Sequence, residues 1–142
     1  MQDFTKLQVW QDAKKFHIKI VQASLNFPKE ETYSMIPQLR RASLSISNNI
    51  AEGCGRNSTK ELYSFLNIAM GSTKEVENMI NISRELNYIN EIEYNNLKQK
   101  IFTIGKKLNS LMQKVKLAQV GRSPKTKNQK PKTKNIFRGD NR

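Results

Sequence analysis

The chain has one cysteine and one histidine in 142 residues. Cys54 has no intramolecular partner for a disulfide, so nothing in the sequence points to an oxidising compartment, and the cytoplasm is the expected location. With His17 as the sole imidazole, neither a catalytic triad nor a Cys/His pair carries a sequence signature. The paired Glu-x-x-His motifs of carboxylate-bridged metal sites in four-helix bundles are absent, which argues against a di-iron role. Gly53-Cys54-Gly55 is too short for a phosphate-cradling loop and lacks the Lys-Ser/Thr that would follow one. MQDFTKLQVW contains no apolar h-region, and no window approaches the ~20 apolar residues of a membrane span. The expectation is a soluble, non-enzymatic protein with no cofactor, no metal and no membrane partner.

Acidic residues are also few: 12 Asp and Glu stand against 25 Lys and Arg, a net charge of +13. That excess favours a polyanionic partner. It is concentrated at the end of the chain, where GRSPKTKNQKPKTKNIFRGDNR carries Arg122, Lys125, Lys127, Lys130, Lys132, Lys134, Arg138 and Arg142 against Asp140 alone. PKTKN occurs there twice, and Ile136 and Phe137 are the only apolar pair. Such a segment cannot bury enough apolar surface to offset chain entropy and reads as disordered when free. The organisation is therefore a folded unit over 1–118 and a basic tail over 119–142. The Arg-Gly-Asp at 138–140 reads as chance, since no secretory signal accompanies it.

The folded unit reads as all-α. In the first helix, about residues 5 to 26, Val9, Ala13, Phe16, Ile20 and Ala23 step by four and three, the spacing of a bundle seam. The second begins near Pro37 and stops around Gly53 to Gly55, where a glycine in the left-handed conformation would cap it. Ser58 and Glu61 form a capping box for the third, which runs to about Leu86 through Gly71; an interior glycine costs about 1 kcal/mol relative to alanine, so either a close helix contact is expected there or Ser72 with Glu75 caps a new helix and marks a break. Asn90 with Glu93 caps the fourth, whose seam is Leu97, Ile101, Ile104, Leu108, Leu111 and Val115. Four long amphipathic helices with short loops make an antiparallel up-and-down four-helix bundle with a disordered basic C-terminal tail.

The second helix, QLRRASLSISNNIAEGCGR, is unusual in its outer positions. Leu39, Ala42, Ile46 and Ile50 form an ordinary core stripe, yet Leu44 and Ala51 lie nearly opposite. Between them Arg41, Ser45, Asn48 and Glu52 take the place of the Lys and Glu of a solvent-facing helix. Ser and Asn gain little in a helix interior unless tertiary contacts hold them, so this is either a slightly polar helix packed inside one bundle or, the favoured reading, a helix on which a second protein surface docks, most simply another copy of the chain. Arg41 and Glu52 are about 16 Å apart along the helix, too far to pair within it. Each is expected to find a partner on another helix or subunit and to fix the register there.

QLRRA followed by SISNNIAEG, then GRNSTKE and FLNIAMGSTKE, with a leading FTKLQVWQDA and NFPKEE, resembles the four-helix bundle family of 23S rRNA intervening-sequence proteins over about residues 4 to 116. The resemblance implies an up-and-down bundle assembling as a homopentamer. A related family, the accessory variability proteins of diversity-generating retroelements, looks like the same bundle and works as a basic pentamer with a reverse transcriptase and nucleic acid. Arg40, Arg41, Asn49, Glu52 and Arg56 match the family motif and are read as structural or oligomer-forming residues. Pro37 and the tail depart from it.

Function follows from charge, because no zinc finger, aromatic RNP motif or helix-turn-helix is present to read sequence. The seven basic residues from Arg122 to Arg138 are the expected phosphate contacts to RNA or DNA, and about 6 such contacts would lose on the order of 10³ in affinity between 50 and 200 mM salt. Lys14, Lys15 and Lys19 on the first helix and Lys98, Lys100, Lys106, Lys107 and Lys114 on the fourth either form ordinary solvated helix faces, the favoured reading, or extend that surface. The leading expectation is an oligomeric scaffold or accessory of a ribonucleoprotein. The alternative is a protein-interaction ring that docks an enzyme such as a reverse transcriptase.

Overall fold

A computed structural model describes residues 2–122; the tail residues Lys125, Lys127, Lys130, Lys132, Lys134 and Arg138 lie outside them. Four helices follow one another: α1 (Gln8–Ser24), α2 (Met35–Cys54), α3 (Thr59–Glu85) and α4 (Glu91–Arg122), with short 3₁₀ turns at Phe4–Lys6 and Lys29–Glu31. Each helix packs on the next, and α1 closes the ring on α4, giving the all-α up-and-down bundle. Among the described residues there is no strand, and no helix is long and apolar enough to cross a membrane.

The seams supply the core. Ala13, Phe16 and Ile20 of α1 meet Ile46 and Ile50 of α2, Leu66, Ala69 and Val76 of α3, and Ile101, Ile104 and Leu108 of α4 in one cluster, every member at most 1% exposed. Burying side chains of this size stabilises by about 1.5–3 kcal/mol each. Helix boundaries follow local chemistry. At the start of α3, the Ser58 hydroxyl accepts from the Glu61 N–H at 3.1 Å and donates to the Glu61 carboxylate, which fixes the first turn. Asn90 accepts from the Glu93 N–H at 2.8 Å and starts α4. Between them α3 ends in a Schellman motif: Asn87 sits at φ 60°, the Tyr88 N–H bonds the Ser83 carbonyl and the Asn87 N–H the Arg84 carbonyl. Tyr88 then stacks on Phe27, ring centroids 5.2 Å apart, and ties this turn to the α1–α2 connection.

Three local expectations differ from what is observed. Gly55 ends α2 at φ −81°, so no left-handed glycine caps that helix. Gly71 lies in an unbroken α3 with no atom within 4 Å of where a Cβ would stand; the close approach is at Gly53, where a Cβ would lie 2.9 Å from the Cβ of Phe65 on α3. Helix α4 continues to Arg122, past residue 118, although its last buried side chain is Val115. Its 32 residues extend about 48 Å, well beyond the end of the 17-residue α1 beside it.

Candidate nucleic-acid interface

Charge is unevenly divided among the helices. α1 and α4 together hold ten basic residues and three acidic ones, whereas α2 and α3 hold five of each. Because α1 and α4 are neighbours, the bundle has one strongly cationic side and one balanced side. The α1–α4 seam is also the loosest of the four between successive neighbours, and a groove runs along it. Its central recess, about 450 Å³, has Phe16 and Ile104 at its floor and Lys15, Lys19, Lys100 and Lys107 around it. It continues past Lys107 to Lys114 toward the C-terminal end of α4, and past Lys19 and Asn96 to Asn26 and Ile92 at the other. The lysines read from the sequence as an extension of the basic surface thus lie on two adjacent helices. Lys15, Lys19, Lys100 and Lys107 meet in one recess.

One carboxylate stands within the central recess. Asp12 accepts from the Lys107 ammonium across the seam and from Gln8 Nε2 at 2.8 Å. Burial pushes its pKa up, but the Lys107 and Gln8 hydrogen bonds and the charges of Lys107 and Lys15 outweigh that, and the net shift is down. Lys15, Lys19, Lys100 and Lys114 make no hydrogen bond or ion pair among the described residues. Three further lysines lie over aromatic rings four residues earlier: Lys14 on Trp10, Lys98 on Tyr94 and Lys106 on Phe102, at 4.9, 5.4 and 5.6 Å from the ring centroids. Arg122, the first of the tail's basic residues, is the last residue of α4, so the tail leaves the bundle at the Lys114 end of the groove.

The motif residues of α2 are placed elsewhere. Arg40 is half-buried and donates to Ser24 Oγ at 2.8 Å, pinning α1 to α2; beside it His17 Nδ1 meets Ser43 Oγ. Asn49 donates to the Ser45 carbonyl and hydroxyl at 2.8 and 2.9 Å, and Ser45 meets Ser72 of α3 at 2.8 Å. These serines are polar links between helices of one chain, which the sequence alone left without partners. Glu52 pairs with Arg56 at 2.9 Å, four residues on, so its partner within the chain lies just past α2's own end and not on another helix; Arg56 lies over Phe65. Arg41 is exposed and without a hydrogen bond or ion pair among the described residues, and Leu44 beside it is 41% exposed.

Chemically the arrangement can hold an anion. No cluster of three or more metal-ligating side chains is found among the described residues, and Cys54 is a buried thiol whose pKa burial raises, keeping it protonated.

No curated protein matches the chain. Among solved structures it is similar to a protein of unknown function from the S23 ribosomal protein family of Bacteroides thetaiotaomicron, with a TM-score of 0.69 and 24% identity over 74% of this chain and 95% of that one. That likeness concerns the fold. The family model for the 23S rRNA-intervening sequence protein matches residues 5–110, which take in α1, α2, α3 and the first part of α4, and the chain belongs to that family.

Proposed function

We propose that this protein is a non-catalytic, oligomeric bundle of the cytoplasm that binds nucleic acid, RNA first, through phosphate contacts, as a scaffold or accessory of a ribonucleoprotein. The observation that carries the reading is the segregation of charge: ten basic against three acidic residues on α1 and α4, five against five on α2 and α3. A protein basic only for solubility has no need to collect its lysines on one side of a bundle and leave Lys15, Lys19, Lys100 and Lys114 without an ion pair among the described residues. The tail, Arg122 to Arg138, adds seven more basic positions, or six beyond the end of α4. In an oligomer, several tails would raise avidity through effective concentration.

Fluorescence anisotropy of the whole chain with RNA and DNA across a salt series tests this. A log–log slope of about −5 or steeper is expected, together with a shallower slope when Lys125, Lys127, Lys130, Lys132 and Lys134 are changed to Gln. Absence of binding at low salt would overturn it. A second reading, a ring that docks a partner enzyme such as a reverse transcriptase, is favoured by the exposed, partnerless Arg41 and Leu44 on the outer side of α2.

A further inference from the structure

The flank of α4 that faces α1 has a period of its own. Lys100, Lys107 and Lys114 follow one another at intervals of seven, and so do Asn96, Thr103 and Ser110; all six line the groove. Seven residues are almost two helical turns, so each series keeps to one side of α4 and rises about 10.5 Å per step. The result is a row of ammonium groups beside a row of short hydrogen-bonding side chains, both parallel to the groove. Asn96 and Ser110 make no hydrogen bond among the described residues, and Thr103, which donates to the Gln99 carbonyl, keeps its acceptor capacity. The opposite wall supplies Lys15 and Lys19 from α1.

Packing does not call for this pattern. Lysines facing one another across a seam repel, and this seam is the loosest around the bundle. A linear polyanion with charge along one edge and hydrogen-bonding groups along the other would satisfy both rows at once. Duplex nucleic acid does not have that form, since its phosphates wind around a rod and its base edges are paired. A single strand does. The two steps from Lys100 to Lys114 cover about 21 Å, and a stacked strand rises about 3.4 Å per nucleotide, so the lysines meet every third phosphate and the site covers about seven nucleotides.

We infer that the α1/α4 groove is a track for single-stranded nucleic acid, in which Lys100, Lys107 and Lys114 neutralise every third phosphate while Asn96, Thr103 and Ser110 meet sugar and base edges. This rests on the nucleic-acid reading above and narrows it to one strand and one groove. Asp12 occupies the middle step in the free protein, so Lys107 exchanges its carboxylate for a phosphate when the strand enters.

The test uses the whole chain, tail included, with a fluorescent single-stranded RNA oligonucleotide and the duplex of the same sequence. Lys100→Gln, Lys107→Gln and Lys114→Gln combined is compared with Lys29→Gln, Lys60→Gln and Lys74→Gln combined, which removes equal charge away from the groove. The groove variant is expected to lose on the order of tenfold or more in single-strand affinity and about 2–3 units of salt slope, with a smaller loss for duplex, while the control keeps the single-strand to duplex ratio. Asp12→Asn, which frees Lys107, is expected to tighten single-strand binding severalfold. Equal losses in the groove and control variants, or weaker binding by Asp12→Asn, would overturn the track while leaving nucleic-acid binding standing. Failure of the unaltered chain to bind either probe would overturn both.

Discussion

His17 and Ser43 meet across the α1–α2 seam, Nδ1 to Oγ at 2.7 Å, with the Arg40 guanidinium held alongside by Ser24. Burial first and the Arg40 charge second hold the imidazole below its ordinary pKa of 6.5. The unfolded chain therefore takes up a proton more readily than the folded one. This contribution to stability is fully present above pH 6.5 and is lost as pH falls from there through the lower folded-state value. Because His17 is the only histidine, its ring resonances in an NMR titration are unambiguous. The midpoint should lie below 6.5 and move upward in Arg40→Gln, and the fall in Tm between about pH 7.5 and about pH 5.5 should shrink in His17→Gln.

Two glycine-to-alanine changes should act in opposite directions. At Gly53 a methyl would meet the Phe65 Cβ at 2.9 Å and the Leu62 Cδ1 at 3.0 Å, and the first of these is rigidly attached to the α3 backbone. Separating α2 from α3 there should cost about 1–3 kcal/mol. At Gly71 nothing stands within 4 Å and the backbone is helical, so alanine should stabilise by about 0.5–1 kcal/mol through propensity alone. Urea unfolding with an unchanged m-value checks both.

Those glycines show where sequence reading stops. Whether Gly53 or Gly71 is crowded depends on which α3 residues face it, and helical periodicity says nothing of that. What is encoded within a turn or two was legible: the Ser58–Glu61 capping box, the Asn90 cap and the stripe of Leu39, Ala42, Ile46 and Ile50, every one of them buried. The serines were legible as anomalies but not as partners, since the Ser45–Ser72 and Arg40–Ser24 contacts join different helices. The partner of Glu52 is Arg56, four residues on and within reach at the helix end, whereas Arg41 lies too far along the helix to pair with it. The lysines of α1 and α4 are equally legible in the sequence as solvated helix faces or as a basic surface. The seven-residue period at 100, 107 and 114 is visible in the sequence, but only the pairing of α1 with α4 turns it into the wall of a groove.

Tyr88 should matter most at neutral pH. Its hydroxyl donates to Glu31 Oε2 at 2.6 Å, and Ser34 donates to the other oxygen, so the turn between α3 and α4 is tied to the 3₁₀ turn before α2. Ser34 first, then Tyr88, lower the Glu31 pKa from 4.5, against a small opposing effect of burial. A folded carboxylate with a lowered pKa stabilises above the unfolded value and loses that contribution as pH falls through the folded one. Tyr88→Phe should therefore lower Tm at pH 7 by more than at an acid pH below the lowered folded value, where Glu31 is protonated in both states. An equal loss at both values would mean that the Phe27–Tyr88 stacking, and not the carboxylate bond, was disturbed.

Subunit assembly should depend on Arg41 and Leu44 and not on Glu52. All three are exposed on α2, but Glu52 already pairs with Arg56, whereas Arg41 has no partner among the described residues and Leu44 leaves an apolar side chain 41% exposed beside it. A second copy seated on this side would bury both and give the guanidinium a partner, so Arg41→Glu and Leu44→Lys should each reduce the mass measured by light scattering after gel filtration. Neither side chain contributes to the core, and circular dichroism should report an unchanged helix content. Glu52→Ala removes an exposed i,i+4 pair worth about 0.3–0.5 kcal/mol and should leave the mass as it was. An assembly that survives both Arg41→Glu and Leu44→Lys would move the contact away from α2, and the outer residues of that helix would then have to be explained by a different partner.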